Sequence, residues 1–300
     1  MNSNFVGIKK SKSRTFFNVI NYTLMALLGL SCVLPFLNII AISFSSAGAI
    51  VAGKVSFFPV DFSLDAYKYL LHYKQFIGSF FVSVTRVILG TSLSMLMVVV
   101  TAYPLSKEPE KFTARNIFMW FLLVQMFFGG GLIPTYLVVK ATGLVNTIWA
   151  LVLPTCLRMG NVILLMNFFR SLPVELEEAA YLDGAGHWTV LFRIYLPIST
   201  AALATIALFN MVGQWNEWFQ GMIYMNKMTQ YPLASYLRTI ISPDSMEVVH
   251  SEDMGVDMMK LNAENMRAAQ IFATALPILC TYPFLQKYFT KGIVMGSVKG

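Results

Sequence analysis

The chain has 300 residues, of which 56% are hydrophobic and only 12% charged, with a mean hydropathy of +0.62. A soluble domain carries about 25% charged residues, so a water-facing surface of this size is excluded, and so are the disordered, collagen-like and disulfide-rich secreted classes. The formal charge of +7 comes from 22 Lys and Arg against 15 Asp and Glu; twelve of the basic residues fall in segments that read as cytoplasmic, so the positive-inside bias, rather than nucleic-acid binding, accounts for the excess.

A spanning helix needs about 20 apolar residues, and the sequence offers six. The basic tail 1–15 carries Lys9, Lys10, Lys12 and Arg14, and the apolar run behind it is too long for a signal peptide. The spans are expected at Phe17–Ser43, Gly78–Tyr103, Asn116–Val139, Val145–Phe169, Ile198–Tyr224 and Ala268–Phe289. The expected fold is therefore all-α: one polytopic membrane domain over 16–300. The tail, the loop with Lys107, Lys111 and Arg115, the loop with Arg170 and Arg193, and the end with Lys287, Lys291 and Lys299 share one side, read as cytoplasmic along with both termini. Two long segments face outward, about 44–76 and about 226–266, the second rich in acid.

Span three contains Gly129, Gly130, Gly131 and Pro134, and span four contains Pro154 and Gly160. Such residues loosen a helix, and the freed backbone must find partners in protein or a wet cavity; close packing through small residues is the plainer reading. Three ionisable residues lie within spans: Arg86, read as snorkelling from the outer end of span two, Arg158, and Glu217. Arg158 reads as a structural ion pair or as a contact to substrate. Glu217, with Trp215, Asn216 and Trp218, reads either as a sugar-binding group or as packing against a partner. Cys32, Cys156 and Cys280 have no metal-ligand spacing and read as small buried hydrophobes. His72, His187 and His250 form no metal site or triad. Gly48 to Lys54 has the G-x4-GK spacing, but Val55 stands where a phosphate loop needs Ser or Thr.

The loop at about 171–197 is unlike the others. Pro173 suits a helix start, Glu175, Glu177 and Glu178 suit a first turn, and Gly184 suits a C-terminal cap, so a helix of about ten residues is expected. The spacing of Glu178, Ala179, Ala180, Gly184, Ile194, Leu196 and Pro197 resembles the EAA signature of permease subunits in binding-protein-dependent ABC importers. Asp183, Gly184 and Ala185 match the form usual in the carbohydrate-uptake, maltose-type class. Trp215 to Trp218 is similar to that family's WN(E/D)-aromatic stretch, and Lys291 to Gly300 to its closing KGxxxGxVKG. Asn146, Thr147, Trp149, Leu153 and Pro154 match as well. Phe128 to Thr135 resembles a subgroup of lipoprotein-dependent complex-oligosaccharide permeases. One departure is Ala201, where many relatives have proline.

The resemblance implies a type I ABC importer permease fold with six transmembrane helices and a cytoplasmic coupling helix. It implies no catalysis on this chain, with ATP and magnesium held by the partner ATPase. The docking residues would be Glu177, Glu178, Ala179, Ala180, Asp183, Gly184 and Ala185, with Ile194, Leu196 and Pro197 behind them. Implied partners are a second, homologous permease, two ATPase subunits, an extracytoplasmic sugar-binding (lipo)protein and membrane lipid in a bacterial cell membrane, with no nucleic acid. Ser242, Asp244, Glu247 and Asp253 would meet the binding protein. Competing readings are an ion-coupled secondary transporter using Arg158 and Glu217, or a membrane-embedded enzyme. The first would need pseudo-symmetric halves and the second a clustered nucleophile, acid pair or metal site, neither of which is found.

Overall fold

A computed structural model describes residues 12–241 and 263–297; the expected binding-protein contacts Ser242, Asp244, Glu247 and Asp253 lie outside them. The described elements are helices and turns, and the chain forms two compact units.

The first unit takes residues up to Leu70 and the stretch Asp253–Phe272. Its main element is α1 (Lys12–Ser43), whose side chains are mostly exposed, with Phe16, Leu27 and Leu30 all more than half so. A short α2 (Ala47–Val51) follows, capped by the Ser46 hydroxyl accepting from Ala49 N–H at 3.2 Å. The Gly48–Lys54 segment is thus a helix and its turn, with no strand before it, and not a phosphate loop. Phe44 stacks on Phe62 (5.7 Å) and meets Tyr67 and Phe272. Asn265 Nδ2 donates to the Ile42 and Ser45 carbonyls at 3.1 and 2.5 Å, holding the end of α1 in place.

The second unit takes Leu71–Glu252 and the chain from Ala273. After α3 (Asp65–His72), which begins in the first unit, comes α4 (Lys74–Ser106). Its 33 residues rise about 50 Å. α4 runs past the expected end of span two at Tyr103 and carries Pro104 within the helix as far as Ser106. One face of α4 buries Ser79, Ser83, Arg86, Gly90 and Ser94, a spacing of three to four residues that keeps them on one side.

Span three is not one helix. α5 (Arg115–Phe127) and α6 (Leu132–Ala141) meet at 115°, with Gly131 at φ +79° in the corner. Only a residue without Cβ takes that angle cheaply. Span four is α7 (Ile148–Val152), a 3₁₀ turn at Leu153–Thr155 and α8 (Met159–Arg170), bent by 49° at Arg158. Next come α9 (Glu175–Leu182), α10 (His187–Val190), a π-helical turn at Leu191–Tyr195 and α11 (Leu196–Ile198). An 82° bend then leads into α12 (Thr200–Asn216), and α13 (Phe219–Tyr224) follows a break at Glu217 and Trp218. α14 (Leu233–Ile241) and α15 (Ala263–Ser297) complete the described residues.

Among the described residues two helices, α1 and α4, are individually long and apolar enough to cross a membrane, and the three bent pairs bring the number to five if each pair is one span. The second unit's core is apolar: Val98, Ala102, Val162, Leu165, Phe169, Val190, Leu191 and Ile206 are almost fully buried where α4, α8, α12 and the loop helices converge. The expectation of buried cysteines fails for Cys32 and Cys280, which are exposed on the outer faces of α1 and α15. An apolar thiol needs no burial on a face that meets hydrocarbon.

Candidate functional site

Two places gather the residues singled out in the sequence. The first surrounds α9. Its eight residues are shorter than the expected ten because Pro173 and Val174 stay outside the helix, their carbonyls taking the first amides, Leu176 N–H and Glu178 N–H. The acidic residues sit in the first turn, where the helix dipole favours them. The helix ends as predicted at Gly184, with φ +81°: Ala185 N–H donates to Ala180 O at 2.9 Å and Gly184 N–H to Tyr181 O at 3.0 Å, the paired bonds of a Schellman cap.

This geometry divides the expected docking residues. Glu178, Ala179, Asp183 and Gly184 face outward, with Ala185 partly covered. Glu177 and Ala180 face inward and are 3% and 8% exposed. Ile194 and Leu196 are half-buried and Pro197 is exposed beside the bend. The inward carboxylate meets Lys107, the residue just past α4. Lys107 Nζ lies 2.8 Å from Glu177 Oε2, and the Tyr195 hydroxyl donates to the same oxygen at 2.7 Å. Lys111 stands 4.0 Å from Oε1. The lysine is also sandwiched between aromatic rings, 4.1 Å from the centroid of Tyr103 and 4.2 Å from that of Tyr195. Burial pushes the Lys107 ammonium below the usual lysine range, against the pull of Glu177. Burial alone would raise the Glu177 carboxyl, but the donors Lys107 and Tyr195 outweigh it and hold the group below the usual carboxylate range. Burial and the neighbouring carboxylate push the Tyr195 phenol up. The sequence reading missed this cluster, because Lys107 counts there only as one more basic loop residue.

The second place is the break between α12 and α13. The four residues expected to act together are separated. Trp215 is buried, edge-on to Phe80 at 6.0 Å, and its indole N–H donates to Thr274 O at 3.1 Å. Asn216 is exposed. Glu217 turns back on its own chain and caps α13, accepting from Phe219 and Gln220 N–H at 2.9 and 3.2 Å. Trp218 faces Arg238, 5.1 Å from its ring centroid. Arg158 is half-buried at the bend of span four and presses on Gly213 of α12, where an added Cβ would lie 2.6 Å from Nη1. Among the described residues its guanidinium makes no ion pair or hydrogen bond.

The residue that organises this second place is Arg86. Instead of snorkelling, it is 0% exposed and donates to Gln214 Oε1 (3.0 Å), Gln220 Oε1 (2.5 Å), Leu151 O (3.3 Å) and Glu217 O (2.9 Å). The two carbonyls come from the ends of α7 and α12, where broken helices leave acceptors that hydrocarbon cannot satisfy. A guanidinium, with five donors in a fixed fork, serves several of them at once. The run of small and polar residues at 79, 83, 86, 90 and 94 was the available signal that this face of α4 is internal. On the far side, Asn146, one of the residues matching the EAA family, adopts φ 63° and accepts from Asn226 N–H at 2.7 Å, tying the start of span four to the end of α13.

No metal-holding group of His, Cys, Asp or Glu occurs among the described residues. No protein-family model matches the chain. Protein LplC of Bacillus subtilis is 39% identical over 97% of both chains. The polygalacturonan/rhamnogalacturonan transport system permease protein YtcP of the same organism is 38% identical over 95% of this chain and 98% of its own. Among solved structures, a chain of a bacterial ABC transporter involved in the import of the acidic polysaccharide alginate is similar, with a TM-score of 0.84 at 29% identity, over 94% of this chain and 99% of that one. With relatives this similar over nearly their whole length, and with the fold matching an importer's membrane subunit, the chain belongs to the family of sugar ABC-transporter permeases.

Proposed function

We propose that this chain is one half of the membrane pore of a bacterial ABC importer, in which α9 is the coupling helix that docks on a separate ATPase subunit. The observation that carries this reading is the two-sided build of α9. Its inner side is locked to the protein by Glu177 and Ala180, while Glu178, Ala179, Asp183 and the Gly184 cap are presented outward on a closed, pre-formed helix. Small Ala179 permits close backbone approach, and the outward carboxylates offer charge to a basic cleft. Six spans follow if α15 joins α1, α4 and the three bent pairs, with both termini cytoplasmic beside the basic loops. A homologous permease, two ATPase subunits and an extracytoplasmic binding lipoprotein complete the machine, with ATP and magnesium on the ATPases.

The cargo in this reading is an oligosaccharide, and one bearing carboxylates. The relatives' names point to acidic polysaccharides, and Arg158 is a half-buried guanidinium beside the bend of span four, with no ion pair or hydrogen bond among the described residues. The ion-coupled reading is weakened, since the Glu217 carboxylate caps α13 and no ion pair between it and Arg158 occurs among the described residues.

The test is co-purification from bacterial membranes in mild detergent. The unaltered chain is expected to retain an ATPase and a second permease, and Ala179→Arg to lose the ATPase while still inserting and keeping the second permease. An ATPase that remains bound to Ala179→Arg at the unaltered level would refute the docking role of α9.

A further inference from the structure

The outward face of α9 explains how force enters the permease but not how it leaves the helix. A short helix on a loop would tilt in place unless something stiff ties it to a spanning helix. Within the described residues, Glu177 carries the ion pairs of α9, and it reaches two elements at once: Lys107 at the end of α4, and Tyr195 at the end of the π-helical turn that leads through α11 into α12.

The linkage has little slack. Both charged side chains are over nine-tenths buried. The ammonium also meets the Tyr195 hydroxyl, at 3.1 Å. Tyr103 and Tyr195 pack edge to face at 5.3 Å, and Phe169 of α8 closes on both, at 6.5 and 5.3 Å. An exposed ion pair transmits little, because its long side chains reorient freely and water screens it; here the ammonium is held between two rings and both charged side chains have little exposure, so that freedom is largely lost. Beyond this point α4 packs along α8 and α12, the helices that carry the breaks at Arg158 and Glu217.

We propose that Lys107, Glu177 and Tyr195 form a latch that passes movement of α9 to α4 and α12. They are positioning residues for coupling, and Glu177 is not a contact to the ATPase. This inference rests on the reading of α9 as the coupling helix.

The experiment measures sugar uptake and ATP hydrolysis in the same liposomes, with the complete reconstituted transporter. Lys107→Met and Glu177→Gln are each expected to lower the sugar moved per ATP hydrolysed by tenfold or more while the ATPase stays bound. Lys107→Arg should keep the ratio within threefold, since it restores the charge in the same cage. The double variant Lys107→Gln with Glu177→Gln leaves no buried charge unpaired, so it separates folding from coupling; a fall of at least fivefold is expected there too. A ratio unchanged in the double variant overturns the latch. Loss of assembly in every neutral variant also overturns it, by making the cluster a folding element only. If Ala179→Arg releases the ATPase but these ratios hold, the latch alone fails; if Ala179→Arg releases nothing, the underlying reading of α9 fails.

Discussion

Replacing Arg86 with methionine tests the internal architecture most directly. Methionine fills much of the stem's space, so the loss is chiefly that of the guanidinium. Four acceptors then lose their donor: the side-chain oxygens of Gln214 and Gln220 and the carbonyls of Leu151 and Glu217. The glutamine amides can turn to other partners, whereas the two carbonyls are fixed at helix ends. A buried unsatisfied acceptor costs about 1–3 kcal/mol, and hydrogen bonds inside membrane proteins average about 0.6 kcal/mol each. Two stranded carbonyls and two rearranged amides, less the relief of no longer burying a charge, come to about 3 kcal/mol. That is over 100-fold in the folded-to-unfolded ratio. The assay is an equilibrium SDS titration of the purified permease, followed by tryptophan fluorescence, because Trp215 and Trp218 flank the break that Arg86 holds. Arg86→Lys, which keeps the charge but not the fork, should lose about half as much. If Arg86→Met unfolds within about 0.5 kcal/mol of the unaltered chain, the cost of burying the guanidinium cancels its bonds and the argument fails.

Three further outcomes are expected. Gly184→Val should destabilise α9 by about 1–2 kcal/mol through backbone strain at φ +81° alone, because an added Cβ meets nothing within 4 Å; a melting curve as good as that of the unaltered chain would contradict this. Glu177 is held below its ordinary pKa when folded, so its stabilisation is present above about pH 4.3 and is lost as pH falls through the lowered value; the stability gap between the unaltered chain and Glu177→Gln should therefore close in acid, and a gap that widens there would be the wrong sign. Gly213→Ala should push the Arg158 guanidinium aside and weaken uptake of a uronate-containing oligosaccharide about tenfold without impairing expression; equal loss for a neutral sugar would argue against a carboxylate contact at Arg158.

Much of this molecule is legible in its sequence because lipid leaves few options. Apolar runs of spanning length must become helices, and the end of α1 and the start of α4 fell within a few residues of expectation. The Gly184 stop was legible because a positive φ demands glycine. The corner at Gly129–Gly131 was readable as a weak point but not as a 115° turn, since its angle is set by what the two arms pack against. Arg86 and Lys107 were misjudged for one reason: a charge in a one-dimensional reading is assigned to the nearest water. Whether a guanidinium snorkels or is enclosed depends on the acceptors that other broken helices supply. Those acceptors are backbone carbonyls and carry no sequence signature. Trp215 to Trp218 are neighbours in sequence, but a helix break sends them in different directions.

The π-helical turn at Leu191–Tyr195 bears on how the family can change in length. Such a turn holds one residue more than the α-helix would, so a single deletion between α10 and α11 can heal into continuous helix. Healing would rotate α10 by about 100° relative to α11, and the side chain now at Tyr195 would no longer meet Glu177. Homologues one residue shorter at this point should therefore carry a different donor for that carboxylate, or lack both the carboxylate and the lysine. A deletion that looks neutral in an alignment would then mark a change in how the loop is fastened to the membrane helices.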